Sequence, residues 1–462
     1  MKFADSFTPD SERFKAETSL LKKKANGRQP QINYQLLPTD ESTFENAQNL
    51  NPITQSFYNE MKLSHEEERE LRELGVEQFY YKEEQLGINS TVWNRLGANC
   101  EDEILLFCSY LKDIIENSQN ETQLSEKISN LKFTVAVNSD LFINLAKVKA
   151  LRFLFFRLLE SAGCKCQFKI AVIPDRNFFT NYESELNLIR MANAGFVALI
   201  SHADEFITLN YKLATNPQLS IIRNSLLSFQ VLREEAQLNF PLDATLGAKA
   251  IEDLTQALIK NVWEKLILNK DLKYEDLLQK LIPVFETQKN ELMKKINSKR
   301  VNLVGASLFV DPTVNLNDKL DLNKRNFASH FEDLRLKIGK SKNQKLKEFN
   351  LLIKGDPVKL INRINFCKNY FETIGIHVRE VDANHHIEWT TNNILCAADE
   401  DYASWLSQIA KEKRNGVESI FVAGNGNGLD QELIKNINIT DFIYLGQDQY
   451  NVLFNWWKKY EN

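Results

Sequence analysis

The sequence predicts an α/β protein made of two parallel-sheet domains in series. Two patterns carry that expectation. Strand and helix signals alternate from Cys100 onward, and a second set of five strands, again alternating with helices, fills the chain after residue 346. A looser stretch between about residues 300 and 346, rich in Asn, Lys and Asp, separates the two sets and reads as a linker.

Taken in order, residues 1 to about 60 are polar and weakly periodic. "SHEEERELRELG" then reads as an exposed helix capped by Ser64 and stopped by Gly75, and "VEQFYY" as a strand. The regular part begins with helix "EDEILLFCSYLKDIIEN", strand "LKFTVAV", helix "DLFINLAKVKALRFLFFRLLES" and strand "FKIAVIP". Alternation of this kind implies a parallel sheet or barrel. The helix from Asp140 to Ser161 is apolar on nearly every face and should lie buried in a large domain or at an interface. Beyond the linker, strands "FNLLI", "HVREV", "NNILCAA", "SIFVAG" and "DFIYLG" alternate with helical segments such as "DYASWLSQIAKEK" and "GLDQELIKNI". That spacing describes a flavodoxin-like, doubly wound domain.

Composition sets the outer limits. The 462 residues suit a large barrel plus a smaller domain, and 43% hydrophobic with 26% charged residues gives a sizeable core. A formal net charge of -5, with no basic stripe interleaved with aromatics, argues against a general nucleic-acid binder. The start "MKFADSFTPDSERFKAE" has no apolar leader core, and no uncharged apolar run approaches a bilayer span, so no membrane partner and a cytoplasmic location are expected. Of the six cysteines, Cys100, Cys108, Cys164, Cys166, Cys367 and Cys396, only the pair in "GCKCQF" is close, and a lone C-x-C is half a zinc site. Reduced structural thiols and no metal site are expected.

Three further features can be weighed on their residues. Gly424, Gly426 and Gly428 in "FVAGNGNG" follow a strand and precede a helix. The G-x-G-x-G spacing is not the dinucleotide fingerprint, so turn chemistry is preferred over ligand binding. The adjacent His385 and His386 diverge on extended backbone and read as a loop pair. Glu234 and Glu235 point apart on a helix and read as a charged face rather than an acid/base pair.

Three segments in order carry a resemblance to a known family. "VNSDLFINLAKVKALRFLFFRLLESAG" at 137–163 resembles the Phe-x-Glu-Ile-Ala-Lys-x-Arg-Ala-x-Arg run of the acyl-CoA mutase barrel. "IPDRNFFTNYESELNLIR" at 173–190 resembles the same family's Ser-x-Arg-Asn-x-Thr-x-Tyr-Asp-x-x-x-Asn-x-x-Arg segment. "LREEAQLNFPLDATLGAKAIEDLTQALIKNVW" at 232–263 is similar to its Glu-Glu-Ser…Asp-Pro…Gly-Ser…Glu-x-Leu-Thr…Ala-Trp stretch. With a flavodoxin-like domain after a linker, the layout from about residue 97 to 462 resembles the adenosylcobalamin-dependent methylmalonyl-CoA mutases.

The resemblance implies a TIM-type (β/α) barrel followed by a degenerate cobalamin-binding-type domain. The expected organisation is a poorly matched region 1–96, a barrel part 97–300, a linker 301–346 and a second domain 347–462. Few residues precede the first matching segment, so the barrel should be shortened or partial. Within the motifs the family Glu is Asn144, the Thr falls near Phe179 or Thr180, the Ser is Ala236, and Asp-Pro is Phe240-Pro241.

In cobalamin-binding members, Asp-x-His-x-x-Gly follows the first strand of the second domain. The imidazole is the lower cobalt ligand, the Asp orients it, and the Gly lets the nucleotide tail pass. Here Asp356 matches, but the ligand position is Val358 and the glycine position is Ile361. The later Ser and Gly-Gly positions fall on Ala397 and Gly424-Asn425. An aliphatic side chain cannot coordinate cobalt, so this chain is expected to bind no cofactor and to have no catalytic residues.

The pattern resembles the non-catalytic branch of the family, whose chains give structural support to a catalytic large subunit in a heterodimer. The large subunit would hold adenosylcobalamin and interconvert succinyl-CoA and (R)-methylmalonyl-CoA. Two alternatives are a divergent cobalamin-binding mutase and a free-standing degenerate CoA-binding or regulatory module.

Overall fold

The computed structural model describes residues 53–58, 62–212, 218–238, 243–314, 326–412 and 414–460. It is a mixed α/β protein with two parallel sheets. Residues 53–462 form one compact unit that contains both.

The first sheet has six strands: β1 (Thr54–Tyr58), β2 (Val76–Tyr80), β3 (Ile88–Asn89), β4 (Lys132–Val137), β5 (Lys169–Pro174) and β6 (Glu205–Leu209). They are ordered β2-β1-β6-β5-β4-β3, and every pairing is parallel. The first strand therefore pairs with the last, while β2 and β3 end the row and do not pair with each other among the described residues. Three of the six strands lie before residue 97, in the region whose sequence carried only one strand signal.

The expected exposed helix is α1 (His65–Glu73). Ser64 and Glu67 close a capping box at its start, and Gly75 follows at φ +88°. Next come α2 (Ser90–Leu96), α3 (Cys100–Glu116), α4 (Glu121–Ser129) and α5 (Leu141–Ser161). Then α6 (Leu186–Ile200), α7 (Leu219–Gln230), α8 (Lys249–Leu268) and α9 (Tyr274–Asn297) complete the lobe. The all-round apolar α5 is explained by its surroundings, because it packs against the sheet, against α3, which itself reaches β4 through Phe107, and against α8. Phe133 of β4 meets Phe155 of α5 edge-on at 4.5 Å. On the opposite face of the strands, Tyr58, Tyr80, Ala136, Ala171, Ile173, Ile207 and Leu209 alternate into one packed cluster.

The segment expected as a linker is partly helical. Helix α10 (Ser329–Lys340) buries Phe331, Leu334 and Ile338 in the core of the second sheet. The i, i+3, i+7 spacing of those three residues was readable, but the flanking Lys and Asp masked it.

The second sheet contains β7 (Glu348–Ile353), β8 (His377–Asp382), β9 (Asn392–Cys396), β10 (Ser419–Ala423) and β11 (Asp441–Ile443). Its order is β11-β10-β9-β7-β8, again all parallel; counted from its own first strand this is 2-1-3-4-5. Helices α11 (Pro357–Glu372) and α14 (Gln449–Lys458) join α10 on one face. α12 (Tyr402–Ile409) packs on the other, and α13 (Gln431–Ile437) adds Ile437 there. Among the described residues no helix is long and apolar enough to cross a membrane.

Candidate functional site

Strand order reverses between β7 and β9, and their following helices go to opposite faces. That leaves a crevice at the carboxyl edge, the usual ligand position in such sheets. The loop after β7 borders it. Gly355 takes φ +112°, and its amide donates to Asn384 Oδ1 at 2.8 Å, tying the loops after β7 and β8 together. Asp356 caps α11: its Oδ1 accepts from the Val358 amide at 2.9 Å, with Pro357 in the first turn. The one residue matching the family's cobalamin motif is therefore spent on its own helix.

Val358 is 79% exposed and Ile361 50% exposed, on the same side of α11 one turn apart. Neither offers a lone pair, so the residues present do not fit a cobalamin whose lower ligand is an imidazole. The crevice is also crossed. From α11, Arg363 donates to the Ala397 carbonyl at the end of β9 and pairs with Asp399 at 2.8 Å. The buried Tyr402 hydroxyl accepts from the Ala397 amide at 3.1 Å and donates to the Ala423 carbonyl at 2.7 Å, joining the ends of β9 and β10. Sequence reasoning missed Arg363, Asp399 and Tyr402; only the strand order shows that α11 faces the end of β9.

The glycine loop lies at the same edge. Gly424, Gly426 and Gly428 all take positive φ, at +136°, +68° and +83°. The Gly424 amide donates to the Ile443 carbonyl at 2.9 Å, and a Cβ on Gly426 would stand 2.7 Å from the Phe442 ring. Turn geometry and close packing account for these glycines without a ligand.

A second polar group lies at the carboxyl ends of β3 to β5. Lys147 Nζ donates to both carboxylate oxygens of Glu103, at 3.2 and 3.1 Å, and to the Ala136 carbonyl at 2.6 Å. Ser90 Oγ accepts from the Ala136 amide at 2.8 Å, and its hydroxyl also bonds Glu103. The side chains of Lys147 and Glu103 are 3% and 5% exposed. Burial pushes the Glu103 carboxyl up to about 7 against the pull of Lys147, and burial likewise raises Asp175, which accepts from the amide and side chain of Asn177. The network is closed on itself and belongs to the core. Its sequence signal was the Lys of the first family-like segment, read there only as part of a resemblance.

The other residues singled out are dispersed. Asn144 is buried and donates to Asn138 Oδ1 at 2.8 Å and to the Asp140 carbonyl at 2.6 Å. Phe179 is in the interior cluster of the first sheet, and the Thr180 amide is held by Asn187 Oδ1 at 3.0 Å. Glu234 and Glu235 are exposed on a π-helical turn, Val231–Glu235, rather than the α-helix expected, and Ala236 follows it at the surface. Phe240 and Pro241 lie outside the described residues.

His385 and His386 are exposed in the loop after β8. No group of three metal-ligating side chains occurs among the described residues. Cys164 and Cys166 occupy the coil before β5, and all six cysteines are free.

Residues 82–348 match the family described as methylmalonyl-CoA mutase. Among similar proteins, a methylmalonyl-CoA mutase small subunit of Porphyromonas gingivalis (strain ATCC BAA-308 / W83) is 22% identical over 361 residues, covering 69% of this chain and 57% of the relative. A probable methylmalonyl-CoA mutase small subunit of Mycobacterium bovis is 24% identical over 193 residues, 38% of this chain and 30% of the relative. One of Mycobacterium tuberculosis (strain ATCC 25618 / H37Rv) has the same identity and coverage. The chain thus spans 57% or less of the length of these relatives. With the family match running over more than half of its residues, the chain belongs to the methylmalonyl-CoA mutase family.

Proposed function

We propose that this chain is the small subunit of a heterodimeric methylmalonyl-CoA mutase, supporting a catalytic large subunit and holding no active site of its own. The observation that carries the reading is the carboxyl edge of the second sheet. Valine and isoleucine stand where the family places its cobalt ligand and its tail-clearing glycine, and the Arg363–Asp399 pair spans the crevice.

Three other observations support it. The 2-1-3-4-5 order of the second sheet is the flavodoxin-like order of the family's cofactor domain. In the first sheet, pairing of the first strand with the last is what a barrel requires, and the missing pairing between β2 and β3 among the described residues gives it an open seam, as in a partial TIM-type barrel. Its interior face is filled by Tyr58, Tyr80, Leu209 and their neighbours, which leaves a packed core where a substrate channel would run. In this reading adenosylcobalamin and the isomerisation of succinyl-CoA to (R)-methylmalonyl-CoA belong to the large subunit, in the cytoplasm.

Native mass spectrometry of material recovered through a tag on this chain, in its own host, tests the proposal. The expected species is a one-to-one assembly with a larger mutase chain and one cobalamin. Recovery of this chain alone with cobalamin or an acyl-CoA attached would overturn it.

A further inference from the structure

The segment that reads as a linker and the second family-like segment meet face to face and are joined by a set of polar contacts. The Asn181 amide and Nδ2 donate to Glu332 Oε1 and Oε2 at 2.6 and 2.5 Å, and Glu332 is 2% exposed. The Arg335 guanidinium lies 3.9 Å from the centre of the Tyr182 ring and donates to the carbonyls of Asp311 and Val314 at 2.6 and 2.5 Å. Just before the helix, the Phe327 amide donates to the Asn177 carbonyl at 2.8 Å, Asn326 Nδ2 donates to the Phe179 carbonyl at 2.7 Å, and Phe327 meets Phe178 edge-on at 5.0 Å. Farther back, Arg190 donates to the Val304 carbonyl and Glu183 accepts from the Asp311 amide, both at 2.8 Å.

These contacts divide α10 between two partners. Phe331, Leu334 and Ile338 belong to the core of the second sheet, while Glu332 and Arg335, one turn apart, grip residues 181–182 of the first lobe. A carboxylate so deeply buried persists only where its oxygens are satisfied, and here the donors come from the other lobe. We propose that α10 is an interlobe clip that sets the orientation of the two sheets, that Glu332 is its positioning residue, and that Asn177–Arg190 is its socket. Polar groups of the second family-like segment are thereby committed to holding the lobes in one arrangement. This inference does not depend on the partner reading above.

Amide hydrogen exchange on the full chain tests it, comparing wild type with Asn181→Ala, Glu332→Ala and Glu332→Gln. In both alanine variants exchange should rise about tenfold or more over residues 176–190 and 326–340 together, with β4 and β9 unchanged. Glu332→Gln keeps one acceptor and should show a smaller rise over the same two segments. A change confined to the mutated element, or an equal rise in β4 and β9, would overturn the proposal. If the alanine variants do not fold, the glutamine variant decides: unchanged protection over 176–190 refutes the clip.

Discussion

Replacing Lys147 by Met tests whether the first lobe is organised around its buried ion pair. Methionine fills the space of the lysine stem but removes an ammonium that sits 3.1 Å from Glu103 and 2.6 Å from the Ala136 carbonyl. Glu103 then keeps only the Ser90 hydroxyl as a close donor, in a site already hostile enough to hold its carboxyl at about 7. Breaking a buried pair from one side costs about 3–5 kcal/mol, because the remaining charge is uncompensated.

The loss should also depend on pH. Glu103 is raised in the fold from 4.5 to about 7, so in wild type its contribution is greatest below 4.5, declines between about 4.5 and 7, and is flat above. Without Lys147 the folded value climbs further and that decline extends to higher pH, at about 1.4 kcal/mol per unit. The assay is urea unfolding at pH 6 and pH 8, followed by exchange protection in β4. Lys147→Met should be destabilised at both and more at pH 8, and Lys147→Met with Glu103→Leu should recover a large part of the loss. A single variant as stable as wild type, or a double variant no better than the single, would refute the ion-pair account.

Glu103→Gln should flatten the fall in stability between pH 5 and pH 7 relative to wild type, by about 3 kcal/mol at most, read as the change in urea midpoint. Gly426→Ala places a Cβ 2.7 Å from the Phe442 ring at φ +68° and should cost about 1–3 kcal/mol in the same assay; a neutral result would mean the loop is looser than described. Asp356→Ala removes the cap of α11 and should cost about 1 kcal/mol, seen as faster exchange at Val358. Val358→His with Ile361→Gly restores the family's ligand and glycine, yet Arg363 still crosses to the end of β9. Desalting after incubation with hydroxocobalamin should leave no corrin absorbance, and retained colour would show that the crevice is open.

Much of the fold was legible because its strands are short apolar runs bounded by polar turns, and this holds for β4, β5 and all of β7 to β11. The strands that escaped are those whose reading depends on partners. β1 and β6 pair with each other across some 150 residues of chain, and β3 has two residues and is recognisable only beside β4. The departure from the family motif at Val358 and Ile361 was visible in one line of sequence, and the structure adds that both side chains are exposed on α11. The Arg363–Asp399 pair was not legible, because the two residues meet only once β7 and β9 are neighbours.

The linker misreading points to a more general cause. A composition rich in charged and amide residues signals solvent when those residues face water, but within this stretch Glu332 and Arg335 face the first lobe. A helix lying between two sheets needs an apolar stripe for one and a set of hydrogen-bonding side chains for the other, and such a helix is nearly indistinguishable from an exposed one by periodicity. What separates the two is where the charges end up. An exposed Glu at position 332 would tolerate Gln or Ala within about 0.5 kcal/mol, whereas one buried against two donors from Asn181 should not. The size of that single substitution therefore measures whether residues 329–340 join the two lobes or merely span the distance between them.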